Sequence, residues 1–119
     1  MAGKTYRLRF REIDRDIFDS VRSGEKTVET RAATERYRDI AGGDQILFVC
    51  GRDSFAKIVK SARIFRSLPA LLRRYRVRDI NPDVRTAAAL KAMYESFPGY
   101  REKIKKFGLI ALELEGLER

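Results

Sequence analysis

The sequence predicts a single α+β domain built on a small curved sheet or barrel with flanking helices. Two observations lead there. At 119 residues, 44% hydrophobic and 36% charged, the chain has the size and composition of one well-solvated globular domain. Its apolar residues alternate in some segments and recur at helical spacing in others, in the order β-α-β-β-β-(α)-β. Strands on both sides of the helical segments point to an α+β layout. Such strands close a barrel only if the first and last of them pair, which the sequence leaves open.

Tyr6-Arg7-Leu8-Arg9-Phe10 alternates strictly and reads as a half-buried strand with Tyr6, Leu8 and Phe10 inward. Arg7 and Arg9 share its other face, where they are either exposed or part of a cleft. Ile13, Ile17 and Val21 follow at helical spacing, with Phe18 widening the stripe, which predicts a helix from about residue 12 to Ser23. Gly24 is placed to end it in the left-handed conformation. A strand over Thr27–Ala32 comes next. Gly42-Gly43-Asp44 is a turn, Gln45–Cys50 is strand-like, and Gly51-Arg52-Asp53-Ser54 closes a hairpin into Phe55–Phe65. Leu68–Tyr75 reads as helical after Ser67, with Pro69 tolerated in the first turn. A further helix is expected from just after Asn81, with Pro82 early, to Phe97. Pro98-Gly99 breaks it. A short turn or helix carries Tyr100 to Phe107, and Leu109–Leu114 is a final core strand.

Composition narrows the chemistry. The formal net charge of +9 favours polyanionic partners such as nucleic acid. There is no histidine. That excludes Ser-His-Asp and Cys-His nucleophiles, histidine acid–base ribonuclease chemistry and His-ligated zinc. The single cysteine, Cys50, excludes an internal disulfide and a cysteine-rich metal site, and its apolar neighbours make it a core thiol. No carboxylate cluster argues for a bound metal, and no cofactor is implied. No apolar run approaches the roughly 20 residues that span a bilayer, and the N-terminus lacks a signal-like apolar region. A cytoplasmic location without membrane association is the expectation.

The densest chemistry lies in Gly24-Glu25-Lys26-Thr27-Val28-Glu29-Thr30-Arg31. In a strand, residues two apart share a face. Thr27, Glu29 and Arg31 therefore point one way, Val28 and Thr30 the other, with Lys26 at the mouth where the chain leaves its turn. Two cations and an anion so close together either neutralise one another or line a polar pocket. Without histidine, Lys26 and Glu29 are the candidates for any catalysis, Glu29 as a general base and Lys26 holding an oxyanion. The bland alternative is a Glu29–Arg31 ion pair that steadies a wall.

The run Gly24-x-Lys26-x-x-Glu29-x-Arg31 after a helix resembles the signature of the ASCH domain family, which shares the PUA-like β-barrel fold. Gly43-Asp44-x-Ile46-x-Phe48 resembles that family's turn into its next barrel strand. Phe97-Pro98-Gly99-Tyr100, leading to Gly108-Leu109-Ile110-Ala111-Leu112, resembles the aromatic-Pro-Gly segment and closing strand of its small stand-alone prokaryotic members. The likeness spans roughly residues 4–115. It implies a PUA-like small barrel with a cleft floored by the motif and aimed at RNA or a nucleoside. One branch is similar to amidohydrolases that deacetylate N4-acetylcytidine, another to ribonucleases, and more distant members to RNA-binding modules. The amidohydrolase branch carries a threonine three residues after its lysine. This chain has Glu29 there, and its later segment offers Asp79 or Asp83 opposite that branch's glutamate, an equivalence the sequence leaves open.

From Ser61 to Arg78 there are six arginines (Arg63, Arg66, Arg73, Arg74, Arg76, Arg78), no acidic residue, and the interleaved aromatics Phe65 and Tyr75. Arginine forks phosphates and stacks on bases, so this tract suits a single-stranded RNA backbone. Arg101, Lys103, Lys105 and Lys106 extend the basic surface. Tyr100 stacks on a base at the cleft edge or packs over the barrel end. The leading function is an RNA-binding module, for single-stranded or structured RNA. Its ligand contacts come from Gly24, Lys26, Thr27, Glu29, Arg31 and Tyr100 for a base or nucleoside. Arg73, Arg74, Arg76 and Arg78 hold the phosphates. The alternatives are a hydrolase of RNA or of a modified nucleoside, and a protein-interaction module. Oligomeric state is not legible.

Overall fold

A computed structural model describes residues 3–116. Five strands form one sheet in the order β1-β3-β4-β5-β2: β1 Thr5–Phe10, β2 Val28–Ala32, β3 Gln45–Cys50, β4 Asp53–Phe65 and β5 Leu109–Gly116. β1 runs parallel to β3, and every other pair is antiparallel. The sheet curls into a half-barrel. The register of β4 against β5 shifts between Val59 and Ser61, an irregularity of the kind that bends a strand. The first strand pairs with neither β5 nor β2, so the barrel stays open. β1 and β2 are the two free edges.

The tight turn Gly51-Arg52 brings β4 back antiparallel to β3, as the glycine signal suggests. The strand β5 sits between β4 and β2 and is buried on both faces. Ile110 and Leu112 enter one core with Leu8, Phe18, Val21, Ile46, Phe48 and Val59. Leu109 and Ala111 enter a second core with Val28, Leu71, Ile80, Leu90 and Tyr94. Alternating side chains of a single apolar run thus hold the two layers together. Gly108 precedes this strand at φ 80°, and a Cβ there would meet the Phe65 carbonyl oxygen at 2.5 Å.

The helices are α1 (Arg15–Ser23), α2 (Leu68–Leu72), α3 (Val77–Ile80), α4 (Ala87–Ser96) and α5 (Tyr100–Phe107). Ser67 caps α2 and Thr86 caps α4 through their side-chain oxygens. Gly24 ends α1 at φ 91°, as its position predicts.

Two expectations need correction. Residues Glu12–Asp14 form a 3-10 turn, and α1 proper begins at Arg15. Three residues per turn instead of 3.6 breaks the stripe, so Ile13 is 82% exposed rather than inward. Nor does one helix run from Asn81 to Phe97. A residue before proline is pushed out of the helical region. Asn81 is accordingly extended (φ −151°, ψ 106°), which ends the short α3, and α4 restarts only after Thr86.

Candidate functional site

Gly24 turns the chain out of α1, and the Lys26 amide then donates to the Ser20 carbonyl at 2.9 Å. This hook drops Lys26 beneath the end of α3. A helix leaves its last carbonyls without partners of its own. The motif supplies them. The Thr27 amide donates to the Asp79 carbonyl at 3.1 Å, and the Lys26 ammonium donates to the Ile80 carbonyl. Lys26 is therefore not at a mouth but buried, at 6% exposure.

Glu29 and Arg31 share a face of β2, as the strand period requires. Glu29 Oε2 accepts from Arg31 Nε at 2.9 Å, and its Oε1 lies 3.4 Å from Lys26 Nζ. The Arg31 guanidinium rests over the Phe10 ring, 5.4 Å from its centroid, and over Tyr37 at 5.9 Å. Phe10 ends β1. This cation–π contact thus spans the gap between the two free strand edges where no hydrogen-bond ladder does.

Burial raises the proton affinity of Glu29, but the charges of Lys26 and Arg31 outweigh it and hold the carboxyl below its usual range. Burial pushes the Lys26 ammonium down and outweighs the opposing pull of Glu29, with Arg31 adding a smaller downward push. Burial works against the charge on Arg31 too, yet Glu29 holds it above its ordinary value. One anion between two cations leaves a positive excess in a dry place, and Lys26 bears the cost.

The triad floors a cleft of about 570 Å³ at the opening of the half-barrel. Ligand sites typically enclose roughly 300–1,000 Å³. β1 contributes Arg9 and Phe10, β2 contributes Thr30, and α4 and α5 contribute Tyr94, Tyr100 and Lys103. Phe97 and Pro98 complete the rim between those helices. Thr30 and Tyr94 share a hydroxyl hydrogen bond. The Tyr100 hydroxyl accepts the Ala32 amide at 2.8 Å, satisfying a donor on the free edge of β2. The Tyr94 and Tyr100 rings lie parallel, 6.3 Å apart. Burial raises both phenols above their ordinary value.

Lys26, Glu29, Arg31 and Tyr100, the residues read as base or nucleoside contacts, meet at this cleft, and Arg9 and Lys103 of the basic surface join them. Gly24 and Thr27 lie outside its lining and act through the backbone, as helix stop and as donor to α3. Arg73, Arg74, Arg76 and Arg78 line a separate groove of about 790 Å³, joined by Arg85 and by the apolar Leu72, Val77 and Val84. The two cavities share no lining residue, and α3 stands between them. In the groove, Arg74 reaches Glu113 at 3.3 Å and Arg76 reaches Asp79 at 3.5 Å. The Tyr75 hydroxyl donates to Glu113 at 2.7 Å, and burial together with that bond pushes its proton affinity up to about 12. Tyr75 is thereby a buried brace and not an exposed stacking platform. Among the described residues no group of His, Cys, Asp and Glu side chains is arranged to hold a metal. Cys50 is buried in the first core.

Sequence reasoning missed Thr30, Asn81 and the Ile80 carbonyl as parts of the cleft. A backbone carbonyl has no signature in a sequence. Thr30 was legible only as the residue facing away from Glu29, and on a free edge strand both faces reach the opening.

A five-stranded half-barrel with flanking helices defines the chain as a small α+β domain of the ASCH/PUA-like kind, and the sequence assigns its family. Residues 12–118 match the ASCH domain, so the protein belongs to the ASCH domain family, whose members are generally RNA-binding-like and associated with nucleic acid. The structure is similar to the crystal structure of the hypothetical protein PH0355. The TM-score is 0.77 at 24% identity, covering 95% of this chain and 99% of that one. It is also similar to the solution structure of protein PF0455 from Pyrococcus furiosus. There the TM-score is 0.71 at 26% identity, with both chains fully covered (100% each). No curated protein matches the chain. No helix among the described residues is long and apolar enough to cross a membrane.

Proposed function

We propose that the protein binds RNA, seating one base or nucleoside in the cleft between the β1 and β2 edges. The arginine groove holds neighbouring phosphates. One observation carries this reading. Arg31 spends one N–H on Glu29, and among the described residues none of its terminal nitrogens has an intramolecular hydrogen bond. None of them is a buried orphan either. A forked donor is thus held rigidly by a carboxylate and an aromatic ring, with its open side toward the cavity. Such a fork suits the acceptor edge of a base, and Phe10, Phe97 and Tyr100 offer apolar surface beside it.

Photo-crosslinking with thiouridine-bearing single-stranded RNA tests this. Adducts on Phe10, Phe97 or Tyr100 are expected. Binding should also fall steeply between about 50 and 200 mM salt. Crosslinks confined to surfaces away from the cleft would sink the proposal.

A second reading, hydrolysis of RNA or of a modified nucleoside, draws on Lys26, an amine of weakened proton affinity at the cleft floor. Glu29 serves it poorly as a base, since two cations already hold its lone pairs. Turnover of single-stranded RNA or N4-acetylcytidine that disappears in Lys26→Ala favours hydrolysis. Turnover that survives this change removes Lys26 from the chemistry.

A further inference from the structure

The cleft carries more positive charge than its floor can neutralise. Five cationic side chains line it (Arg9, Arg11, Lys26, Arg31 and Lys103) against two carboxylates, Asp14 and Glu29. Both carboxylates are already occupied. Glu29 is bound by Lys26 and Arg31, and Asp14 accepts from Arg11 Nε at 2.9 Å. Arg9 and Lys103 remain, without an ion pair among the described residues. Both are exposed, and they stand on different elements of the cleft lining, one on β1 and the other on α5. Arg9 alternates outward from the Leu8 and Phe10 core face, and Lys103 lies on the first turns of α5 after the Pro98-Gly99 break.

A neutral nucleoside would leave both cations unanswered. A phosphate attached to it would meet them at the cleft entrance while its base reached the Arg31 fork. The long apolar stems of the two side chains let their heads swing to meet an anion while remaining hydrated without one.

We infer that the cleft is a nucleotide site, in which Arg9 and Lys103 hold the phosphate of the same residue whose base is seated on the floor. The inference rests on the reading of the cleft as a base or nucleoside pocket. It makes the arginine groove beside α3 a separate contact for strand beyond that nucleotide. The ligand chemistry is a ribonucleoside phosphate, either free or within an RNA strand.

The test is calorimetric titration of the intact protein with the four ribonucleosides, their monophosphates, inorganic phosphate and a single-stranded trinucleotide. At least one monophosphate should bind about tenfold or more tightly than its nucleoside, as charge-assisted hydrogen bonds require. Arg9→Gln/Lys103→Gln should abolish that preference by weakening monophosphate binding about tenfold or more. The thermal midpoint should hold, because both side chains are exposed. A trinucleotide that binds much more tightly than any monophosphate assigns the phosphate to a strand. Equal binding assigns it to a free nucleotide. Equal affinity for nucleosides and monophosphates overturns the inference and leaves the base-pocket reading standing. Binding of inorganic phosphate as tight as any monophosphate also overturns it. Binding of neither nucleosides nor monophosphates overturns both.

Discussion

The cleft at the open seam and the groove beside α3 are both rich in cations, yet they handle charge in opposite ways. In the cleft, Lys26 and Glu29 are almost fully buried and Arg31 largely so, and the two cations share one carboxylate at 3.4 and 2.9 Å. In the groove, Arg73, Arg74, Arg76 and Arg78 are all exposed, and among the described residues only Arg74 and Arg76 reach a carboxylate. A buried charge with its partners removed costs several kcal/mol, whereas an exposed pair is worth roughly 0–1. The first region is therefore bound up with the stability of the fold, and the second is free to serve a ligand.

Glu29→Ala should give the largest effect. It leaves Lys26 and Arg31 without their carboxylate in a dry site, at a cost of about 3–5 kcal/mol of unfolding free energy. Denaturant titration measures it. A loss below about 1 kcal/mol would mean that water reaches the triad freely.

Arg73→Ala/Arg74→Ala/Arg76→Ala should invert the pattern. Its stability should change by less than about 2 kcal/mol, since two exposed ion pairs are at stake. Its slope of log affinity against log salt for single-stranded RNA should flatten by about 2, at roughly 0.7 per lost phosphate contact. A large stability loss with an unchanged slope would assign the groove to structure.

Smaller effects follow from protonation. Folding lowers the proton affinity of Lys26, so the folded state binds fewer protons. Stability should then rise as pH climbs toward the unfolded lysine value of about 10.4, and Lys26→Met should flatten that alkaline rise. Glu29 gives the same sign in the acid range. Its folded carboxyl is held low, so its contribution is present above about pH 4.3 and is lost as acid takes pH through the lower folded value. Glu29→Gln should remove that part of the acid loss. Thermal melts across pH separate the two. At the small end, Ile13→Ser should stay within about 0.5 kcal/mol, because the side chain is 82% exposed.

Much of the fold was legible because local rules suffice for it. Alternation marks β1, an apolar run after a glycine turn marks β3, the glycine stop after α1 sits where the stripe ends, and Leu109-Ile110-Ala111-Leu112 reads as a core strand. The strand period alone placed Glu29 and Arg31 on one face. The errors have equally local causes. A 3-10 turn took Ile13 off the stripe, and Pro82 ended a helix where an early proline had been taken to begin one.

The family motif, the five strands, three of the five helices in outline, the surplus of cations and the absence of histidine could all be read from the residues alone. These depend on residue identity and short-range spacing. Packing of the whole chain sets β1 and β2 at opposite edges of the sheet, opens the cleft between them, and buries Lys26 against the Ile80 carbonyl, 54 residues away. It also sets the arginine tract behind α3, apart from the cleft. The reason is physical. Hydrophobic periodicity fixes which face of an element is inward, but strand order and the meeting of distant edges are set by packing the whole chain around two cores.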